Sequence, residues 1–489
     1  TAPFTILDDS TGGDCQHIGT WNAASKTCTI TDLFSGGGTG DIESTSDGII
    51  IGSDGITLQG DAVYPADNTP KVDIFGPASG TNYGIKIDGK SNITIKNILL
   101  KNFETTLFAN NVDTLTLENI FAAGGYQAQK FEINNSQHVV LHDFYPNTSD
   151  LYINNSDDVE ISGADDNIWG NYRSGWNNIR IDDSHDVEIK FMHLSGSAYY
   201  GSGTLFVTGS SSNVDIHDST IGAIQVYNEA YSQKGVGSDI IIRNNIIREN
   251  LGLSGAFASG PFVIKENTFP AVTSYYSGTR ITIGDYGSGQ YRNDYGVGQH
   301  VIKDNLFQGP SAEVQRTAIS LNGNSGSEIS GNTFSDIWTA INLRGSQNNQ
   351  IFNNNFILTA FPVSLENSIN VVPDPQPPLR SSGNNLHDNY WTIFDEGPEG
   401  CYNDSPFDNN CDSSYLMTPE FYWPYACNGA CKAERTESIS FLTPWVMQNG
   451  EMPSTPIESP PDNIFPTITV PSSQTIQTVD QSGIIVNYG

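Results

Sequence analysis

The residues with the most chemical scope in this chain are its carboxylates. Glycoside hydrolysis needs two carboxyl groups ~5–9.5 Å apart, one acting as acid and the other as base or nucleophile. The candidates are Asp165 with Asp166, Asp182 with Asp183, and Glu229. The run Asp182-Asp183-Ser184-His185-Asp186 has the right residue types, but it falls at a predicted turn, where acidic residues are also ordinary solvated corners. Lyase or epimerase chemistry on a uronate needs a base, and a cation to neutralise the sugar carboxylate. Arg180, Lys190 and His193 lie on one predicted turn. Strand alternation points Arg180 outward, and a net charge of −33 repels a polyanion unless Ca²⁺ bridges the two. The eight histidines include no pair at metal-ligand spacing on one element.

A second group of candidates is aromatic. Trp169, Tyr172, Trp176, Tyr199, Tyr200, Tyr227 and Tyr231 fall in lengthened connections. Each offers an apolar plate with a polar edge on which a sugar ring can stack, and each can equally bury its neighbours to pin a long loop. A third group is oxygen-rich. Asp404, Asp408 and Asp412, with Asn403, Asn409 and Asn410, crowd into a stretch bounded by Cys401 and Cys411. Such density suits Ca²⁺, the one cofactor the sequence suggests, although the spacing is not that of an EF-hand. A solvated, disulfide-tied turn explains the same residues.

The elements that must position these groups are short strands. Glu328 to Phe356 shows the pattern: Ile329 precedes Gly331-Asn332-Thr333-Phe334, and twenty-two residues later Ile351 precedes Asn353-Asn354-Asn355-Phe356. Ala340-Ile341-Asn342-Leu343 supplies a second strand between them. The strands beginning at Ile93 and Leu115 are again twenty-two apart, and equivalents recur from Val139 to Leu386. A fixed period with alternating strands predicts a solenoid with Val, Ile and Leu inside. Asn97, Asn119, Asn245, Asn267, Asn305, Asn332, Asn354 and Asn389 recur at one phase, which predicts a ladder of amides along the axis. Phe269, Phe307, Phe334, Phe356 and Trp391, two residues on, predict an internal aromatic stack. A β-sandwich is the rival fold, but few hairpin signals fall in phase.

The expected organisation is an N-terminal cap over 1–45, the β-helix over 46–395, a disulfide- and Asp-rich C-terminal cap over 396–452, a Pro-rich linker over 453–464, and two strands of a partial sandwich domain over 465–489. The cap is needed because an open turn exposes apolar side chains and strand edges. Some 25 residues are too few for an independent core, so the last stretch predicts a longer parent chain or pairing with another copy.

With 22 Lys and Arg against 55 Asp and Glu, nucleic acid is not an expected partner. Cysteines fall in close pairs, Cys15 with Cys28, Cys401 with Cys411 and Cys427 with Cys431, which suits disulfides and an extracytoplasmic compartment. The chain opens at Thr1, as a processed end would. No run of ~20 apolar residues predicts a membrane span. Glycosylation sequons occur at Asn92, Asn134, Asn147, Asn154 and Asn403.

Turns such as Gly331-Asn332-Thr333-Phe334 and Ser346-Gln347-Asn348-Asn349-Gln350-Ile351 resemble the right-handed parallel β-helix repeats called carbohydrate-binding and sugar-hydrolase repeats. Cys15, Ile18, Trp21, Cys28-Thr29-Ile30 and Ser53-Asp54-Gly55-Ile56-Thr57-Leu58 are similar to the N-terminal part of secreted β-helix proteins common in archaea, and Asn389-Tyr390-Trp391 with the following Cys loops resembles their C-terminal cap. Pro466-Thr467-Ile468-Thr469-Val470-Pro471 looks like the opening of a hyalin-type immunoglobulin-like repeat. The resemblance implies a right-handed fold over about residues 10–420, and its members include enzymes and non-enzymes. The polygalacturonase-type set of Asn-Thr-Asp, Asp-Asp and Gly-His-Gly is absent. The expected function is therefore an extracellular, cell-surface structural or adhesive module, in contact with glycans, surface proteins or other copies of itself in filaments or arrays. The alternative is a secreted polysaccharide hydrolase or lyase working in a groove along the coil.

Overall fold

The computed structural model describes residues 3–31, 42–64, 69–77, 82–123, 129–144, 149–163, 178–194, 203–227, 239–254, 261–271, 279–284, 299–309, 316–344, 346–357, 359, 361–366, 384–387, 390–391, 476–478 and 484–486. They form a right-handed parallel β-helix whose chain passes in turn through a long sheet, a second sheet and a third.

The long sheet has 14 strands, all parallel, running from Phe4–Ile6 and Ile49–Ile51 to Thr339–Arg344 and Phe361–Glu366. The second runs from Thr27–Ile30 through Ser91–Lys101 to Asn385–His387. The third has 8 strands, from His193–Leu194 to Tyr390–Trp391. Antiparallel pairing between described strands is confined to Gly19–Asn22 with Thr27–Ile30 and Ile476–Thr478 with Ile484–Val486. Near the N-terminus a disulfide joins Cys15 to Cys28, tying a single helical turn, Cys15–Ile18, to that first hairpin. The other four cysteines lie outside the described residues.

Register follows from alternation. Inward residues stack on their equivalents one rung away, as in Ile133–Ile153–Ile181–Val207 on the long sheet and Ile216–Ile242–Ile264–Ile302–Ile329–Ile351 on the second. All are essentially fully buried. β-Branched side chains suit this pleated interior, and each is worth about 1.5–3 kcal/mol in area removed from water. A slip of one residue turns the whole row outward, so the apolar pattern fixes the register.

The corner between the second and third sheets carries the expected ladder. Asn245 Nδ2 donates to Asn267 Oδ1 at 3.1 Å, Asn267 to Asn305 at 3.0 Å, Asn305 to Asn332 at 2.9 Å and Asn332 to Asn354 at 3.0 Å. The same oxygens accept the backbone N–H groups of the preceding rung. Asn119 and Asn97 form a separate pair at 2.8 Å, and Asn389 is outside the described residues. Inside the ladder, Phe269, Phe307, Phe334 and Phe356 stack almost face-parallel with centroids 4.7, 5.0 and 5.1 Å apart.

The corner between the long and second sheets has a ladder of its own. The Ser136, Ser156, Ser184 and Ser211 hydroxyls each accept the N–H of the rung before, at 3.1 Å. Further along, His300 takes this role: its Nδ1 accepts from Phe262 N at 3.2 Å, while its own N–H donates to Ser327 Oγ. The ring is stacked on Phe262 and buried.

Candidate functional site

Three consecutive rungs of the long sheet share one local sequence. Lys130-Phe131-Glu132-Ile133-Asn134-Asn135-Ser136, Asp150-Leu151-Tyr152-Ile153-Asn154-Asn155-Ser156 and Asn178-Ile179-Arg180-Ile181-Asp182-Asp183-Ser184 align residue for residue. In each, the two apolar residues are buried and the side chains between them face out. The strands pair in register, so outward residues fall into columns parallel to the axis.

The entrance column holds Lys130, Asp150 and Asn178. Asp150 Oδ1 accepts the Asn178 backbone N–H at 2.8 Å, and Asn178 Oδ1 in turn accepts from Thr204 N at 3.1 Å. Burial pushes the Asp150 carboxyl above the usual range, against the opposing pull of the Asn178 hydrogen bonds and the Arg180 charge. Burial likewise raises the Tyr152 phenol, with Asp150 adding to the shift. Lys130 is held protonated by Glu132, which it meets at 2.5 Å.

The middle column runs Lys86, Phe108, Glu132, Tyr152, Arg180, Phe206 and Gln225. Charged and aromatic side chains alternate along it. The Arg180 guanidinium lies over the Phe206 ring at 5.2 Å, and Lys86 sits over Tyr83, whose ring is 5.0 Å from Phe108. Beyond Gln225 the column continues with Gly252, where a Cβ would meet Gln225 Oε1 at 2.4 Å.

The exit column holds Asp88, Asn110, Asn134, Asn154, Asp182, Thr208 and the backbone of Tyr227. It is a hydrogen-bond ladder: Asn110 donates to Asp88 at 2.9 Å, Asn154 to Asn134 at 2.7 Å and the Thr208 hydroxyl to Asp182 at 2.6 Å.

The candidate pair Asp182 and Asp183 thus ends a strand and turns the corner. Asp183 has φ +47°, and its Oδ1 accepts from both the N–H and the hydroxyl of Ser210, at 2.7 and 2.8 Å. Both carboxylates crowd Gly209, where a Cβ would come within 2.5 and 2.7 Å of their oxygens. Arg180 faces out on the long sheet, while Lys190 and His193 belong to the second and third sheets, so the structure does not gather these three at one point. Lys190 pairs with Glu160 and Glu188 at 2.9 and 2.7 Å.

Asp165, Asp166, Glu229, Trp169, Tyr172, Trp176, Tyr199, Tyr200 and Tyr231 lie outside the described residues, as do Asp404, Asp408, Asp412, Asn147 and Asn403. Among the described residues no group of three or more His, Cys, Asp and Glu is disposed to hold a metal ion, and no helix is long and apolar enough to cross a membrane.

Of the sequon residues, Asn92 is exposed. Asn134 and Asn154 belong to the exit ladder, and their sequon hydroxyls, Ser136 and Ser156, are buried and donate to the Asn134 and Asn154 carbonyls.

Neither Asp150 nor Tyr152 stood out by motif or composition. The signal that finds them is the thrice-repeated heptapeptide, whose closing Asn-Asn-Ser or Asp-Asp-Ser fixes which preceding residues share a column.

No protein-family model and no curated protein matches the chain. Solved structures do. The chain is similar to the surface adhesin PfbA of Streptococcus pneumoniae, at 11% identity over 64% of this chain and 83% of that one, with TM-score 0.28. It is similar to an alginate lyase from Paenibacillus sp., at 11% identity over 61% and 92%, with TM-score 0.31. It is also similar to the A-module of the Azotobacter vinelandii mannuronan C-5 epimerase AlgE6, at 12% identity over 80% and 93%, with TM-score 0.29.

Proposed function

We propose that this chain is an extracellular module of a cell-surface protein that binds a polysaccharide along the outward face of its long sheet. The observation that carries the reading is the middle column. Phe108, Tyr152 and Phe206 recur on alternate rungs, ~9.6 Å apart at the ordinary strand spacing, with Glu132 and Arg180 between them. That is the scale of a disaccharide. Aromatic plates stack on the apolar faces of sugar rings, and interleaved charges and amides bond their hydroxyls. Trp169, Tyr172, Trp176, Tyr199 and Tyr200, which precede the strands of Arg180 and Phe206 in sequence, are further candidates for sugar contact in this reading.

The test is a panel of acidic and neutral polysaccharides titrated against the chain and against Phe206→Ala and Tyr152→Ala. At least one polymer binds, and each substitution weakens it tenfold or more. Unchanged affinity in both variants sinks the reading. Assembly into filaments or arrays, with Ca²⁺ held by Asp404, Asp408 and Asp412 and the strands of 465–489 joining a neighbour, belongs to the same proposal. Electron microscopy with and without a chelator tests it.

A second reading, a polysaccharide lyase or hydrolase, is favoured by one observation. Asp150 is a carboxyl with a raised pKa beside a phenol and a guanidinium, the arrangement that proton transfer at a sugar requires. Product formation from the bound polymer, abolished in Asp150→Asn, supports it. A polymer that stays intact in the presence of the native chain excludes it.

A further inference from the structure

The outward face of the second sheet carries two neighbouring columns. One is acidic and then aliphatic: Glu160, Glu188, Asp215, Ile241, Val263, Val301. The other is basic: Lys190, His217, Arg243, Lys265, Lys303. Where both charges are present they neutralise each other. Lys190 meets Glu160 and Glu188, His217 meets Glu188 at 3.1 Å, and Arg243 makes a forked contact with Asp215 at 2.9–3.2 Å.

The acids stop after Asp215 and the cations continue. Lys265 and Lys303 sit on adjacent rungs, in register, with Ile241, Val263 and Val301 beside them, and among the described residues neither lysine makes an ion pair. The next acid in the column, Glu328, accepts from Ser330 Oγ at 2.7 Å. Like charges one rung apart, ~4.8 Å, repel each other. In a chain of net charge −33 with only 22 Lys and Arg, two adjacent lysines of this kind form a narrow cationic line.

We propose that the strip formed by Lys265, Lys303 and the half-buried Ile241, Val263 and Val301 binds a linear acidic polysaccharide lying parallel to the coil axis. It is separate from the long-sheet surface and does not depend on it. Charge complementarity names an anion. The surroundings name its shape: Asp239, Glu266 and Asp304 are exposed along the margins of the strip. A broad acidic protein, or a second copy of this chain, meets those carboxylates. A thin polymer carrying about one carboxylate per sugar lies between them, presents one anion per rung, and sets its apolar ring edges on the aliphatic column. Contacts of this kind are screened within ~8 Å at physiological ionic strength, so binding depends strongly on salt.

The experiment titrates the full chain with polygalacturonate and with its fully methyl-esterified form. Native protein binds the acid form at low salt and not the ester. The Lys265→Gln/Lys303→Gln double variant binds at least tenfold more weakly with unchanged thermal unfolding, whereas Lys96→Gln, on a distant rung of the same sheet, binds the acid form as native does. No binding of polygalacturonate by the native chain overturns the inference, as does equal affinity in the double variant. Loss in Phe206→Ala with retention in the double variant places the polymer on the long sheet instead, which overturns this inference and leaves the proposed function standing. A double variant changed only in its sedimentation behaviour makes the strip a contact between copies and also overturns it.

Discussion

Two regions of this coil are built on the same register with opposite rules. At the corner of the second and third sheets the residue stays the same from rung to rung: Asn under Asn and Phe under Phe, buried, with every amide bonded to the next. On the outward face of the long sheet the position is fixed and the residue changes: Glu132, Tyr152, Arg180, Phe206, Gln225. Repetition secures stacking, because each rung needs the same partner above and below. Variation at a fixed spacing is what a surface needs to read a polymer whose units also repeat at a fixed spacing. The comparison separates residues that hold the coil from residues available for chemistry.

The comparison is broken most forcefully at the corner. Phe307→Ala removes the middle of the aromatic stack and is expected to cost about 3–5 kcal/mol in chemical denaturation. A loss below about 1 kcal/mol would mean that the stack relaxes around the cavity. Asn305→Ala removes an acceptor for Asn267 and the donor that serves Ile264, Lys303 and Asn332. Buried groups left without partners put its cost at about 3 kcal/mol.

The other buried corner, between the long and second sheets, and the outward face also differ in their response to pH. Burial depresses His300 from 6.5 to about 4, consistent with Nδ1 acting as an acceptor in its ladder. The unfolded chain takes up this proton at higher pH than the folded chain does. Stability is therefore full above pH 6.5 and falls as pH drops to about 4, by ~3 kcal/mol. His300→Asn, which puts at this rung the residue found at Asn349, should flatten that dependence in melts from pH 7 to pH 4. An unchanged slope would remove His300 as its source. Asp150 works in the other direction. Its raised carboxyl favours the fold at low pH, and that advantage is lost as pH rises from the ordinary carboxylate range through the raised value. Asp150→Asn keeps the Asn178 hydrogen bond and should remove this loss.

The smallest expected effect on stability is on the varied face. Phe206→Ala changes stability by less than about 1 kcal/mol, since surface substitutions usually do, while weakening polysaccharide binding. Sequon use sharpens the same contrast. In a glycosylating host, peptide mapping should find sugar on the exposed Asn92 and none on Asn154, whose amide is committed to Asn134. Modification at Asn154 would show that the exit ladder opens.

The regular half of the molecule was legible in the sequence, for a physical reason. The rungs from Asn97 to Asn119 and from Asn332 to Asn354 are both 22 residues long, so ladder and stack residues recur there at a visible interval. From Lys130 to Thr208 the rungs are 20, 28 and 26 residues long. A period search loses phase there, and the carboxylates that draw attention, Asp182 and Asp183, are the ones closing the corner. Asp150 and Tyr152 look ordinary in isolation. Only the register, carried by the repeated heptapeptide, places them beside Arg180.

The most direct test of the central claim is hydroxyl-radical footprinting of the chain with and without a polysaccharide that it binds. Oxidation of Tyr152, Phe108 and Phe206 is expected to fall on binding, while the buried Phe307 and Phe334 remain unreactive in both states. Binding that leaves those outward aromatics as reactive as in the free chain would contradict it.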